Sequence, residues 1–348
     1  MTLGEEMLWS VAANWPGGAV PKADEDVTID NGMNMVFDLE GETPIYRLVR
    51  VNGQLTFKND LKNTTFNAKH IFIRAGELHI GNKTHPFLGN CMIKLHGEKD
   101  AKHIVYDNAI EAGNKLIANL NVMRIYGKQR SHHFSRLHRE AKKGDDIIHI
   151  QKGMDIVAGD RLALLPTSFD NMASDDVFVK SYDTLTGETH LMSKLDWYHW
   201  GALESRASEY NGADMRGEVL LLTRNIRIAG EDIESWGGQI VTSDTVEINS
   251  LGEMAVRSGS TVMENVEVYN CSQIDTQKAA IRWEGATQKY SEVTNCTFHN
   301  GYSWGVYIKS STNILFRDNI VFNFRPVGIN LSNTKNVTID HNVIGHIQ

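Results

Sequence analysis

The feature that most constrains this chain is an asparagine that recurs near its C-terminal end. Asn265-Val-Glu-Val-Tyr-Asn, Asn295-Cys-Thr-Phe-His-Asn, Asn319-Ile-Val-Phe-Asn and Asn342-Val-Ile-Gly-His align at spacings of 30, 24 and 23 residues. A second file, Ala280-Ile-Arg-Trp, Gly305-Val-Tyr-Ile and Gly328-Ile-Asn-Leu, repeats at 25 and 23. Apolar residues alternate within each run, the period of a strand with one buried face, and a fixed spacing of roughly 20 to 25 residues is one coil of a solenoid. The stretch from about Thr261 to Gln348 is therefore expected to be stacked parallel strands. The asparagines are read as scaffold, because Asn tolerates the left-handed backbone of a tight turn and stacked amides hydrogen-bond along the axis. Ile281, Trp283, Val306, Ile308, Ile329 and Leu331 should point inward, with Val266, Cys296, Ile320 and Val343 in a second buried file. The extra residues of the first coil fall at Cys271 to Thr276, a loop placed to border a groove.

Upstream, Val27-Thr-Ile, Leu48-Val-Arg-Val, Gln54-Leu-Thr-Phe, His70-Ile-Phe-Ile and Glu77-Leu-His-Ile are short alternating strands. The closest helical candidate, Arg136 to Lys143, is short and highly charged. The expected fold is all-β, a right-handed parallel β-helix preceded by a β-rich region over 1–125, with 126–240 as a connecting β-rich region continuing the solenoid and pectate-lyase-like repeats over 241–348. The chain stops within a repeat, so the solenoid is expected to continue past Gln348. It opens without the basic and apolar regions of a signal peptide, so a secreted protein would need its leader outside these residues.

Composition narrows function only broadly. A balance of 35 Lys and Arg against 43 Asp and Glu argues against nonspecific nucleic-acid binding, and no apolar run reaches the length of a membrane span. Cys91, Cys271 and Cys296 are odd in number and lack metal-ligand spacing, so neither a disulfide framework nor a metal site is expected, and no motif asks for a cofactor. Sequons at Asn63, Asn82, Asn270, Asn295, Asn330 and Asn336 would accept glycans in a secreted protein.

A family resemblance rests on Trp9, Trp15-Pro-Gly-Gly, Pro21, Asp26-Val-Thr-Ile, Gly53-Gln-Leu, Gly76-Glu-Leu-His-Ile-Gly81, Pro86-Phe87 and Leu95-His-Gly97, which together resemble a G8 domain over the region 1–125. Ala158-Gly-Asp160, Thr167-Ser-Phe-Asp170, Gly217-Glu-Val-Leu-Leu-Leu-Thr-Arg-Asn-Ile226 and Trp236-Gly-Gly-Gln-Ile240 are similar to the segment that follows G8 in fibrocystin-like proteins and in hyaluronan-degrading cell-surface proteins. The latter carry a long insertion and a Pro-Ile-His-Phe-His type motif that have no equivalent here, which moves the match to the fibrocystin branch. That resemblance implies a noncatalytic extracellular or cell-surface receptor or adhesion protein with a glycan or protein partner; a hyaluronan-type hydrolase is the alternative.

Candidate chemistry is sparse. On the file preceding the ladder asparagines, Glu264 and Asp318 are the acids an in-register glycosidase pair would use, two coils or about 9.6 Å apart. On the outward strand positions Arg282, Tyr307 and Lys309 are the preferred glycan-binding candidates. The basic stretch Lys128 to Lys143, with His132, His133 and Arg136, is the place to grip an anionic glycan. His199, between Trp197 and Trp200, and Arg224-Asn225 are read as structural.

Overall fold

The computed structural model describes residues 3–105, 111–206, 211–248 and 252–348. The chain divides into two compact units, one of residues 1–128 with 224–343 and one of residues 129–223 with 344–348.

The first unit is a right-handed parallel β-helix with three faces. On one face nine strands stack in parallel, in the order Glu6–Leu8, Asn34–Phe37, Gln54–Phe57, Glu77–Ile80, Val122–Tyr126, Ser260–Glu264, Ser291–Thr294, Thr312–Arg317 and Lys335–Asp340. The other two faces meet in the long strand Asn63–Ile73. Its second half stacks on Leu116–Asn119, followed by Gln239–Thr242, Ile281–Glu284, Val306–Lys309 and Ile329–Ser332. Its first half stacks on Asn90–Leu95, followed by Ile226–Gly230, Val266–Tyr269, Thr297–His299 and Ile320–Phe324. The β-rich N-terminal region and the repeats are thus one solenoid: Val122–Tyr126 hydrogen-bonds to Glu77–Ile80 on one side and to Ser260–Glu264 on the other.

Residues 129–223 do not add coils to it, in contrast to the expectation for 126–240. They form a six-stranded antiparallel sheet, Phe134–Arg136, Glu218–Leu221, Arg161–Leu164, Asp175–Tyr182, Glu188–Leu191 and Ile147–His149, over a separate core that includes Leu137, Ile150, Leu162, Val177 and Val179. Period-two alternation looks the same in parallel and antiparallel strands, so pattern alone does not reveal the change. The segment Arg136 to Lys143 is no helix; Leu137 and Ala141 are buried, and their amides donate to the carbonyls of Gly217 and His199.

Inside the solenoid, Ile281, Trp283, Val306, Ile308, Val266, Cys296 and Ile320 are buried as expected. Ile329 and Val343 are half-buried and Leu331 is exposed. For the first and last of these the cause is position, since Ile329–Ser332 ends its sheet and no described strand stacks beyond it.

The asparagine ladder needs one correction. Thr297 pairs with Ile320 and Glu267 with Thr297, so the left-handed turn residues in register are Asn265, Asn295, Asp318 and His341, with φ of 56°, 56°, 56° and 58°. Asn319 and Asn342 belong to the next column, in register with Cys296. There the Asn319 amide accepts from the Cys296 N–H at 2.9 Å and donates to the Val293 carbonyl at 2.9 Å, while Asn342 does the same for Asn319 and Phe316. Asn in one column provides backbone geometry, and Asn in the other provides hydrogen bonds.

Two stability predictions follow from this packing. Asn319→Leu leaves a buried N–H and C=O without partners, each worth about 1–3 kcal/mol, so denaturant unfolding should show a loss of about 2–4 kcal/mol; a change within error would remove the ladder from the account. Burial, with the Lys69 and His103 charges behind it, drops the His70 imidazole to about 4. The unfolded chain then binds a proton that the folded one does not as pH falls from about 6.5 toward about 4, and stability is lost over that window. Urea unfolding of His70→Leu should show a shallower loss between about pH 7 and about pH 4.5; an unchanged slope would contradict the assignment.

Candidate functional site

Most of the sequence-derived candidates are engaged or covered. The outward row of the second face runs Phe72, Ala118, Val241, Arg282, Tyr307, Asn330, apolar at its start. Residues on the strands Ile104–Val105 and Glu111–Gly113 cover that start, with Ala112, Leu116, Ala118, Leu120 and Val241 in a small core. Arg282 is consequently buried, donating to the carbonyls of Glu111 and Ala112 at 2.9 and 2.8 Å and pairing with Glu284 at 3.0 Å. Tyr307 is also buried, edge-on to Trp304, and Lys309 pairs with Glu284 at 2.9 Å, a contact that holds its ammonium above the usual range.

Two cations of the basic stretch, Arg130 and Arg136, are likewise engaged within their own unit. Arg136 binds Glu218 at 2.7 Å and the Arg216 carbonyl at 2.7 Å, Arg130 bridges Asp155 and Asp160, and His132 contacts Ser131 and Gln151. His133 lies beside the strand Glu218–Leu221, its carbonyl accepting from the Leu221 N–H at 2.9 Å. His199 is fully buried, with Nδ1 toward the Leu165 carbonyl at 2.9 Å and Nε2 on Asp175 at 2.8 Å. Arg224 is equally buried, its guanidinium donating to the Asn295 carbonyl.

The acids do not pair as the spacing implied. Asp318 sits in the turn and contacts His341 at 2.5 Å, and the position in register with Glu264 is Thr294, then Arg317. The acid nearest Glu264 by register is Glu292, on the adjacent strand and two residues along.

The groove lies elsewhere, at the turn that closes the third face. Asn270, Asn300 and Asn323 form a second column of left-handed residues there, with φ of 49°, 52° and 58°. The first coil of this set takes 30 residues against 23 for the next, and the surplus is the loop after Cys271. Three adjoining hollows run past this column. The first, 400 Å³, is lined by Glu42, Lys94, Glu231, Asp232, Tyr269 and Asn270. The second, 360 Å³, shares Asp232 and Asn270 with it and adds Asn300, Tyr302 and Arg325. The third, 440 Å³, shares Tyr302 and Arg325 and reaches Trp304, Asp275 and Gln277.

Both walls are held from inside. The Lys115 side chain is fully buried, and its ammonium donates to the carbonyls of Glu231 at 2.5 Å and Trp236 at 2.7 Å, the two ends of one wall loop. Burial holds that ammonium below its ordinary range, partly offset by the charges of Glu231 and Asp232. Its neighbour Asn114 accepts from the Trp236 indole at 2.8 Å, and the Asn114 carbonyl accepts from Gln273 of the other wall at 3.0 Å. Ser272 then ties that wall to the floor through the Tyr302 and Ser303 amides at 3.0 and 2.7 Å. Gly237 sits where the walls meet; a Cβ there would lie 2.5 Å from the Ser272 carbonyl oxygen. In the floor, the Tyr302 hydroxyl is buried beside Asp232, and burial together with that carboxylate holds the phenol well above its usual range.

The loop was legible in the sequence, but Lys115, Asp232, Tyr302, Trp304 and Arg325 were not singled out. A signal existed: Tyr302 and Trp304 follow Asn300, the partner of Asn270 across the long coil. No group of three or more metal-binding side chains occurs among the described residues. Cys91, Cys271 and Cys296 are buried, and burial pushes each thiol up to about 12. Thiol reagents should leave all of them unlabelled until the protein unfolds, and fast native labelling would contradict this packing. Lys115→Met should raise amide exchange in residues 231–236 at least about tenfold while leaving the ladder strands unchanged; uniform exchange would show that the lysine does not hold the wall.

Comparisons with known proteins place these features in a family. Residues 14–138 match the G8 domain and residues 233–348 the right-handed β-helix region. Human fibrocystin-L is 24% identical over 91% of the chain, communication mutant protein F of Dictyostelium discoideum is 23% identical over 92%, and mouse fibrocystin is 24% identical over 97%. The chain spans 8%, 28% and 8% of those proteins. Among solved structures, the tailspike gp61 of Pseudomonas phage phi297 is 10% identical over 79% of this chain and 37% of its own, with a TM-score of 0.27, too low to carry an argument. The family matches cover residues 14–138 and 233–348, the relatives align along nearly the whole chain, and together they support a G8-domain, fibrocystin-like protein.

Proposed function

We propose that this chain is a noncatalytic, glycan-binding segment of a larger extracellular, receptor-like protein. The observation that carries the reading is the row of hollows past Asn270, Asn300 and Asn323, where the aromatic rings of Tyr269, Tyr302 and Trp304 stand beside carboxylates and a guanidinium. Aromatic faces stack on the C–H faces of sugars, and flanking charged groups hydrogen-bond hydroxyls, so few contacts fix orientation without chemistry. The fibrocystin-like relatives favour a role within a much longer protein, since the chain matches only 8% of fibrocystin-L. No helix of the described residues is long and apolar enough to cross a membrane.

One observation favours a second reading, glycoside hydrolysis. Strand spacing of about 4.8 Å and a two-residue offset of about 6.6 Å put the Cα atoms of Glu264 and Glu292 about 8 Å apart, in the range of an inverting carboxyl pair if the side chains run parallel. Against it, the hollows lie on another face of the solenoid.

A glycan array decides first: the wild-type chain should bind a defined subset, and Trp304→Ala should weaken that binding at least about tenfold, or about 1.4 kcal/mol. A silent array would end the binding reading. Incubation with hyaluronan should leave its length unchanged; shortening that disappears in Glu264→Gln would replace binding with hydrolysis.

A further inference from the structure

The glycan reading leaves the shape and charge of the ligand open, and the groove constrains both. Its lining comes from successive strands of one face: Thr65 from Asn63–Ile73, Lys94 from Asn90–Leu95, Ala229 from Ile226–Gly230, Tyr269 from Val266–Tyr269, then Asn300 and Asn323 from the next two coils. Six stacked strands at about 4.8 Å make the first two hollows about 24 Å long along the solenoid axis, and the third, lined by the same coils as the second, opens beside it around the turn. The hollows are not separate cups, because Asp232 with Asn270 bounds the first and second, and Tyr302 with Arg325 bounds the second and third.

Charge excludes one class of occupant. Glu42, Glu231, Asp232 and Asp275 face Lys94 and Arg325, an acidic surplus that repels a polyanion. An extended peptide gains little, since the strands beneath already pair with neighbours on both sides and offer no free ladder for strand addition. What remains is polar, uncharged and long. Tyr302 lines both the second and the third hollow and offers an aromatic ring in the middle of the row.

We infer that the groove takes a linear, neutral oligosaccharide laid along the row, several sugar units filling the adjoining hollows at once. The inference rests on the glycan-binding reading. The walls suit such a ligand because Lys115, Asn114 and Gln273 fix them before it arrives, so little ordering opposes binding.

Titration calorimetry on the full chain tests it, with neutral glucan, mannan and galactan oligosaccharides from disaccharide to hexasaccharide and hyaluronan fragments of equal length. In at least one neutral series affinity should rise at least about tenfold with length and then level off, and hyaluronan fragments should bind at least about tenfold more weakly. Glu42→Ala and Trp304→Ala, at opposite ends of the row, should each weaken the hexasaccharide, whereas the disaccharide should respond to one of them at most. Length-independent affinity would reduce the site to a single sugar and overturn the inference while leaving glycan binding intact, and so would tighter binding of hyaluronan. No binding in any series would remove the glycan reading and this inference with it.

Discussion

Every coil of the β-helix depends on the coils above and below it for its backbone hydrogen bonds. Within a parallel strand no N–H or C=O is satisfied by its own segment, so register between coils must hold along the whole stack. The two turn columns meet this demand in different ways. Asn265, Asn295, Asp318 and His341 adopt the left-handed backbone that lets each coil turn in the same place, and Asn319 and Asn342 reach across to the next coil with their amides. Because the Asn319 amide is buried and both accepts from and donates to the preceding coil, one shift of register would orphan several polar groups together.

That constraint also explains where variation is allowed. Extra residues cannot enter a strand without breaking the stack, so they leave at turns. Two such exits show the range. After Lys128 the chain leaves to build an antiparallel unit and re-enters the same sheets at Arg224, whose amide is bonded to Glu267. After Cys271 a shorter exit makes the outer wall of the groove. The first exit has its own core, whereas the second is held to the solenoid where its Ser272 and Gln273 bond to Tyr302, Ser303 and Asn114, which is why it can form a defined edge.

Much of this was legible in the residues. Alternation and spacing revealed the solenoid, and the longer first coil located the loop. The register slipped by one residue because a recurring Asn looks the same whether it turns the chain or bonds the neighbouring coil; only pairing of Thr297 with Ile320 separates Asn295 from Asn319. The outward row of Arg282 and Tyr307 was misread as open surface, because alternation reports which side a residue faces but not what covers that side. Lys115 was beyond reach: its partners, the carbonyls of Glu231 and Trp236, are distant in sequence and carry no side-chain signature. The basic stretch misled for a related reason, since Asp155, Asp160, Asp214 and Glu218, which pair with its Arg130 and Arg136, are scattered along the chain.

The central claim is that function resides in the row of hollows and not on the basic stretch or the outer sheet faces. Nuclear magnetic resonance mapping on isotope-labelled protein, titrated with a neutral oligosaccharide that binds, tests this most directly. The account predicts that the largest shifts fall on Lys94, Asp232, Asn270, Asn300, Tyr302 and Trp304, in one continuous row. Shifts centred on residues 128–143, or on Glu264 and Glu292, with the groove unchanged, would contradict it.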